Sequence, residues 1–175
     1  MSGLKNTTDN HSAGFTIVEL LIVVVVIAVL AAITVVAYNG MTNRATNSKR
    51  DSDIATYYKA ILMARQSTGL ALRYITNDAW STGSCAVSLG NPANTEPRDL
   101  PKTHACWTRY YDNLDRIGAA AGINLDNLKS GDYRGNPYTL DENEGESCGS
   151  DQMYVFTGNG ATYQAIRVIP RLVEC

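Results

Sequence analysis

The chemistry available to this chain comes from a short list of side chains. Glu19 is the only charged residue between Phe15 and Ala37, where Thr16 and Thr34 are the only other polar residues. At the centre of a membrane helix a carboxylate costs roughly 2.5 to 3.5 kcal/mol on insertion scales, so Glu19 calls for a partner of opposite charge. Nucleophilic catalysis needs a nucleophile, a base and an orienting group. Only two histidines are present, His11 close to the N-terminus and His104, which sits two residues from Cys106. That cysteine is better placed in a disulfide, and no Gly-rich phosphate loop or metal-binding His pair occurs, so no enzymatic activity is expected. Asp141, Glu142, Asn143, Glu144 and Glu146 fall in one short run, and oxygen clusters of this kind can hold Ca²⁺. The EF-hand pattern fails, because Gln152 stands where the closing Glu would be. A solvated acidic loop without a cofactor is the default reading.

Four cysteines, Cys85, Cys106, Cys148 and Cys175, all lie in the second half of the chain and form no C-x-x-C pair, which argues against zinc. An even number of widely spaced cysteines downstream of an apolar segment fits a domain exported to an oxidising compartment, where two disulfides persist. Three pairings are open. Fifteen Lys and Arg face 17 Asp and Glu, a net charge of −2, which supplies no global field for a polyanion. Residues 41–175 carry 14 basic and 15 acidic side chains, interspersed, and no nucleic-acid partner is expected.

These side chains need elements to hold them. A length of 175 residues suits one globular domain plus an appendage. Residues 20–33 are fourteen consecutive apolar residues, and Phe15 to Ala37 make 23 residues, about 35 Å as a helix and long enough to span a bilayer. Fourteen of the 23 are β-branched, which disfavours a helix in water. In lipid only the helix satisfies an isolated segment's backbone, so the membrane overrules propensity. A secretory signal fits poorly, since the leader carries one Lys (Lys5) and one Asp (Asp9) and residues 28–40 contain no Ala-x-Ala cleavage site.

Gly14-Phe15-Thr16-Ile17-Val18-Glu19-Leu20-Leu21 resembles the class III signal of type IV prepilins and pseudopilins. The resemblance implies a leader over residues 1–14, cleavage between Gly14 and Phe15 by a dedicated inner-membrane aspartyl peptidase, and N-methylation of Phe15. It also implies that Glu19 pairs with the Phe15 amine of a neighbouring subunit. Physical reasoning agrees, because a buried carboxylate is tolerable beside an opposite charge. On this reading a lone subunit cannot easily satisfy its own Glu19, whereas a staggered filament can. Two positions depart from many pilins: Ala28 stands for a Gly and Val36 for a Pro. These breakers are associated with local melting of the helix in filaments, and their absence argues against a melted segment here. The resemblance also favours the pairing Cys85–Cys106 with Cys148–Cys175, the second resembling the C-terminal disulfide loop of many pilins. Major pseudopilins of type II secretion bind Ca²⁺ in a nearby loop, which keeps calcium at the acidic run as a secondary expectation.

Beyond the membrane segment, assigned to residues 15–38, no Pro interrupts residues 41–69, and Ile54, Tyr57, Tyr58, Ile61 and Leu62 recur at helical spacing. The helix is expected to continue through an amphipathic half, residues 39–69, to a stop at Gly69. Residues 70–175 are read as the globular domain. It holds a short strand Cys85–Leu89, a helix from Trp107 to Ala121 ended by Gly118 or Gly122, a short strand at Tyr138–Leu140, and a hairpin of Gln152–Thr157 with Ala161–Ile169. The fold class is α+β, an antiparallel sheet laid on one long helix. Gly135-Asn136-Pro137-Tyr138 resembles the W-G-N-P-Y segment of major pseudopilins, with Arg134 in place of Trp, and also reads as a plain turn before a strand.

The expected function is structural: a subunit held in the membrane by one span, then polymerised into a surface filament. Its partners would be copies of itself, prepilin peptidase, the pilus assembly machinery, and lipid before assembly. A pseudopilin of a secretion or DNA-uptake machine is the alternative within the family, and a single-span anchored binding domain is the alternative outside it. Glu19 discriminates the last, because a plain anchor has no use for it.

Overall fold

The computed structural model describes residues 14–77, 85, 89–92, 95–144, 149–156 and 163–171. The chain divides into two compact units, Met1–Ala45 and Thr46–Cys175. Helix α1, Ile17–Thr68, is 52 residues long and runs without a break through Ala28 and Val36. Threonines within it are satisfied locally, Thr34 Oγ1 donating to the Ala31 carbonyl at 2.9 Å and Thr42 Oγ1 to that of Tyr38 at 2.8 Å. The helix stops at Gly69, whose φ of +70° is open to glycine, and whose N–H donates to the Arg65 carbonyl at 2.8 Å, a left-handed C-terminal cap.

In the second unit, the face of α1 turned to the core comprises Asp53, Ile54, Tyr57, Ala60, Ile61, Ala64 and Arg65. Three of the five stripe residues named from sequence are buried there. Tyr58 is half-buried and Leu62 exposed, because Leu62 is rotated a full 100° from Ile61 about the helix axis. Helix α2, Leu72–Thr76, follows directly. Helix α3, Ala105–Ala121, begins at His104, whose Nδ1 accepts the Cys106 N–H at 3.2 Å. It ends at Gly122, with Gly122 N–H donating to the Ala119 carbonyl and Ile123 N–H to that of Gly118, a Schellman closure. Gly118 is thus inside α3. A Cβ there would stand 2.8 Å from the Ile123 carbonyl oxygen, so the closure itself demands glycine at that position.

Strands β1 (Thr139–Asp141), β2 (Asp151–Phe156) and β3 (Tyr163–Ile169) form one antiparallel sheet in the order β1-β2-β3. Leu140 pairs with Met153 and Asp151 with Ile169. Between them the register slips, Tyr154 facing Ala165 and Met153 facing Arg167, so Ile166 is an extra residue that lets both Ile166 and Ile169 pack toward the core. That core joins Ile54, Tyr57 and Ile61 of α1 to Trp107, Tyr110, Leu114 and Ile117 of α3 and to Leu140, Met153 and Ile169 of the sheet. Two of its polar aromatics are satisfied: Trp107 Nε1 donates to the Pro97 carbonyl at 2.7 Å and Tyr110 OH to that of Leu128 at 2.6 Å.

The architecture is α+β, as the periodicities indicate. The expected strand Cys85–Leu89 is corrected at both described ends: Cys85 is helical, Leu89 lies in a turn, and the Leu89 N–H donates to the Cys85 carbonyl at 3.1 Å. That spacing of donor and acceptor is helical rather than extended. The residues between, and the hairpin turn Gly158-Asn159-Gly160, lie outside the described residues.

Candidate assembly site

Gly14, Phe15 and Thr16 are not helical, and the first helical bond runs from Leu20 N–H to the Thr16 carbonyl at 3.2 Å. Three further bonds close this turn. Thr16 N–H and the Thr16 hydroxyl both donate to Glu19 Oε2, at 2.9 and 2.8 Å, and Glu19 N–H donates to Thr16 Oγ1 at 3.2 Å. This is a reciprocal capping box, in which the residue before the helix and the third residue within it satisfy each other's free donors. The Thr-x-x-Glu spacing ahead of an apolar run already carries it in the sequence. Thr16 thus supplies Glu19 with hydrogen bonds, though not with an opposite charge, from three residues away within the same chain.

From Ile17 to Ala37, α1 is apolar on every side apart from Glu19 and Thr34. Phe15 is 85% exposed, and every large side chain from Ile17 to Val36 other than Glu19 is an exposed hydrophobic. A helix apolar all round has no water-facing side, and this one is long and apolar enough to cross a membrane, with none of its most apolar window buried. Gly14 has open space around it.

In the second unit, Cys85 and Cys106 are joined in a disulfide with Cα atoms 5.7 Å apart, both buried against Leu100. Cys148 and Cys175 lie outside the described residues. The acidic run is engaged by its own fold. Glu144 forms a buried ion pair with Arg65 of α1, whose other terminal nitrogen donates to the Pro170 carbonyl at 2.6 Å. Glu144 N–H donates to Asp151 Oδ1 at 2.8 Å, Asn143 Nδ2 to the Ser150 carbonyl at 3.4 Å, and Tyr154 OH to Asp141 Oδ2 at 3.5 Å. Glu142 is buried and Glu146 lies outside the described residues. Among the described residues no group of three or more His, Cys, Asp or Glu is placed to hold a metal. The solvated loop expected by default is corrected for Glu142 and Glu144, both of which are under 8% exposed. Arg65 is the reason for Glu144, because a buried carboxylate persists where a buried guanidinium meets it.

The segment Gly135–Tyr138 is more than a turn. Asn136 is fully buried, its Oδ1 accepting Arg98 N–H and its Nδ2 donating to Glu96 Oε2, both at 3.0 Å. Its own N–H donates to Asp132 Oδ1 at 2.9 Å. Burial pushes the Asp132 carboxyl above its ordinary value, opposed by the N–H bonds of Asn136 and Arg134. Tyr138 OH reaches Asp53 Oδ2 on α1 at 3.1 Å, and Lys49 holds the same oxygen at 2.5 Å. Arg134 stands 3.9 Å from Glu96, so the residue in place of Trp faces a carboxylate. Sequence reasoning missed Thr16, Arg65 and Glu96; for the last two the partner is 79 and 40 residues away, and no local spacing signals it.

Residues 9–35, 27 of the chain's 175, match the family model for the prokaryotic N-terminal methylation motif, the class III prepilin signal found in type IV pilins and pseudopilins. The match covers Gly14, Phe15 and Glu19 together with the capping residue Thr16. No curated protein and no solved structure matches the chain.

Proposed function

We propose that this chain is a structural subunit of a type IV pilus-like filament. In this reading prepilin peptidase removes residues 1–14 by cutting between Gly14 and Phe15, and Phe15 is then N-methylated. Residues 15–38 hold the subunit in the membrane as a single span until it is extracted by the pilus assembly machinery. Residues 39–69 carry the helix out to the domain 70–175, and Glu19 pairs with the Phe15 amine of a neighbouring copy in the assembled fibre. The observation that carries the reading is the methylation motif over residues 9–35 centred on the sole charged side chain of the apolar segment. An intramembrane carboxylate is by default functional, and cleavage creates the ammonium that matches it. Cys148–Cys175 is the second disulfide by the same resemblance, and the chain acts by assembly rather than catalysis.

Electron microscopy of sheared surface filaments, with peptide mass mapping and N-terminal mass spectrometry, tests this. The expected result is filaments containing this chain, beginning at Phe15 and carrying one methyl group. A mature terminus near residue 40, or an intact Met1 in the assembled form, would sink it. A pseudopilin role is the second reading, supported by the Gly135-Asn136-Pro137-Tyr138 segment and its buried Asn136 tie. It predicts the same mature terminus in a chain that stays in the envelope and is absent from sheared filaments.

A further inference from the structure

Both donors of Thr16 end on one oxygen of the Glu19 carboxylate, Oε2, at 2.9 and 2.8 Å. Among the described residues nothing donates to Oε1. A carboxylate has acceptor sites on each oxygen, so the cap fixes the side chain's direction through one and leaves the other open. The Glu19 N–H is held by the same Thr16 hydroxyl, which makes Thr16 the common partner of the Glu19 backbone and side chain. Glutamate has three side-chain torsions, and a free carboxylate at the edge of an apolar segment would spread over many rotamers before meeting a partner. A carboxylate already held in one rotamer does not have to be ordered at the encounter.

We propose that Thr16 is a positioning residue for assembly: its hydroxyl locks Glu19 through Oε2 and presents Oε1 to the N-terminal ammonium of a second copy of this chain. The inference rests on the filament reading above and adds a residue to it. Before assembly the cap keeps the carboxylate hydrogen-bonded inside its own subunit, so the subunit can wait in the membrane with its acid satisfied. During assembly the incoming ammonium takes the open oxygen, and the cap need not break. Serine can do the same work, since it supplies the same hydroxyl. Valine has the shape of threonine and cannot.

The test compares the full chain carrying Thr16→Ser, Thr16→Val, Glu19→Ala or Thr16→Val with Glu19→Ala, each as the sole copy. Two readouts are taken: amide hydrogen exchange at residue 19 in phospholipid nanodiscs, and yield in sheared filaments. Thr16→Val is expected to speed exchange at Glu19 and lower filament yield, each about fivefold, the scale of one lost helix cap. Thr16→Ser is expected to match the unsubstituted chain in both. In the Glu19→Ala background, Thr16→Val should lower the yield no further, because the hydroxyl acts through Glu19. Normal yield from Thr16→Val, a Ser variant as defective as Val, or additive losses in the double variant would overturn the proposal. So would retention of the leader in Thr16→Val, which would place Thr16 in processing instead. An unsubstituted chain that never enters filaments would overturn the assembly reading, and exchange at Glu19 would still decide whether the capping box exists.

Discussion

Glu19 carries two duties in one side chain, a helix cap and the only negative charge of the apolar segment, and substitutions can separate them. Glu19→Ala removes both; it should insert in the membrane as well as or better than the unsubstituted chain, be processed normally, and be poorly represented in sheared filaments. Glu19→Gln keeps a capping side chain and removes the charge, so a loss of filaments equal to that of Ala would assign the defect to the ion pair. Normal yield from both variants would mean that apolar helix packing alone sets register. Asp132 permits a test of a different kind. Burial raises its folded-state pKa above the ordinary 3.8, so in the interval between those values the folded state binds more protons than the unfolded one, and stability falls as pH rises through it. The stability of the fragment Thr46–Cys175 relative to its Asp132→Asn variant should therefore grow as pH drops from neutral toward 3.8; denaturant midpoints at pH 7, 5 and 4 check this, and a relative loss on acidification would contradict it. At this scale Glu19 was legible in the sequence because its surroundings are local. Arg65, Glu96 and Asn136 were not, because a polar residue with its partner many tens of residues away looks the same in sequence as a solvated one.

Among the elements, those with long periodic signals matched expectation and those without did not. The long helix α1 and its stop at Gly69, helix α3 and the three strands were each marked by apolar spacing with a glycine or turn nearby. Helix α2 has five residues, too few for any period to show. The Cys85–Leu89 segment alternates as a strand would, yet Cys85 is tied to Cys106 at the start of α3, and a tertiary restraint of that kind outweighs local pattern. Gly118 in sequence has the look of a helix end, and its real constraint is the Ile123 carbonyl folding back over it. Gly118→Ala, a stabilising change in most helix interiors, should here destabilise the domain by about 1 to 3 kcal/mol, because the added Cβ forces the Schellman closure to shift. Gly122→Ala should also destabilise, through its φ of +70°. Thermal unfolding of the two variants checks both, and an unchanged or higher midpoint for Gly118→Ala would refute the steric account.

For the molecule as a whole, one core gathers α1, α3 and the sheet, and the Cys85–Cys106 disulfide closes a loop with a sequence separation of 21 beside it. In the chain-entropy model such a loop contributes roughly 3 kcal/mol, so Cys85→Ala with Cys106→Ala should lower the midpoint of Thr46–Cys175 by about 10 °C or more; a drop of only a degree or two would mean that the strands and helices hold this region unaided. The α+β class was readable because helical and alternating periods occupy separate stretches of the chain. The way the sheet is fastened to α1 was not, since it depends on the Arg65, Glu144 and Pro170 contacts and on Tyr138 reaching Asp53. All of those fastenings, and the apolar stripe between them, begin at Lys49 and Asp53 and end at Arg65. A mechanical load arriving along α1 from its N-terminal side would therefore first meet these fastenings at Lys49 and Asp53, where the Lys49 ammonium and the Tyr138 hydroxyl share one carboxylate oxygen.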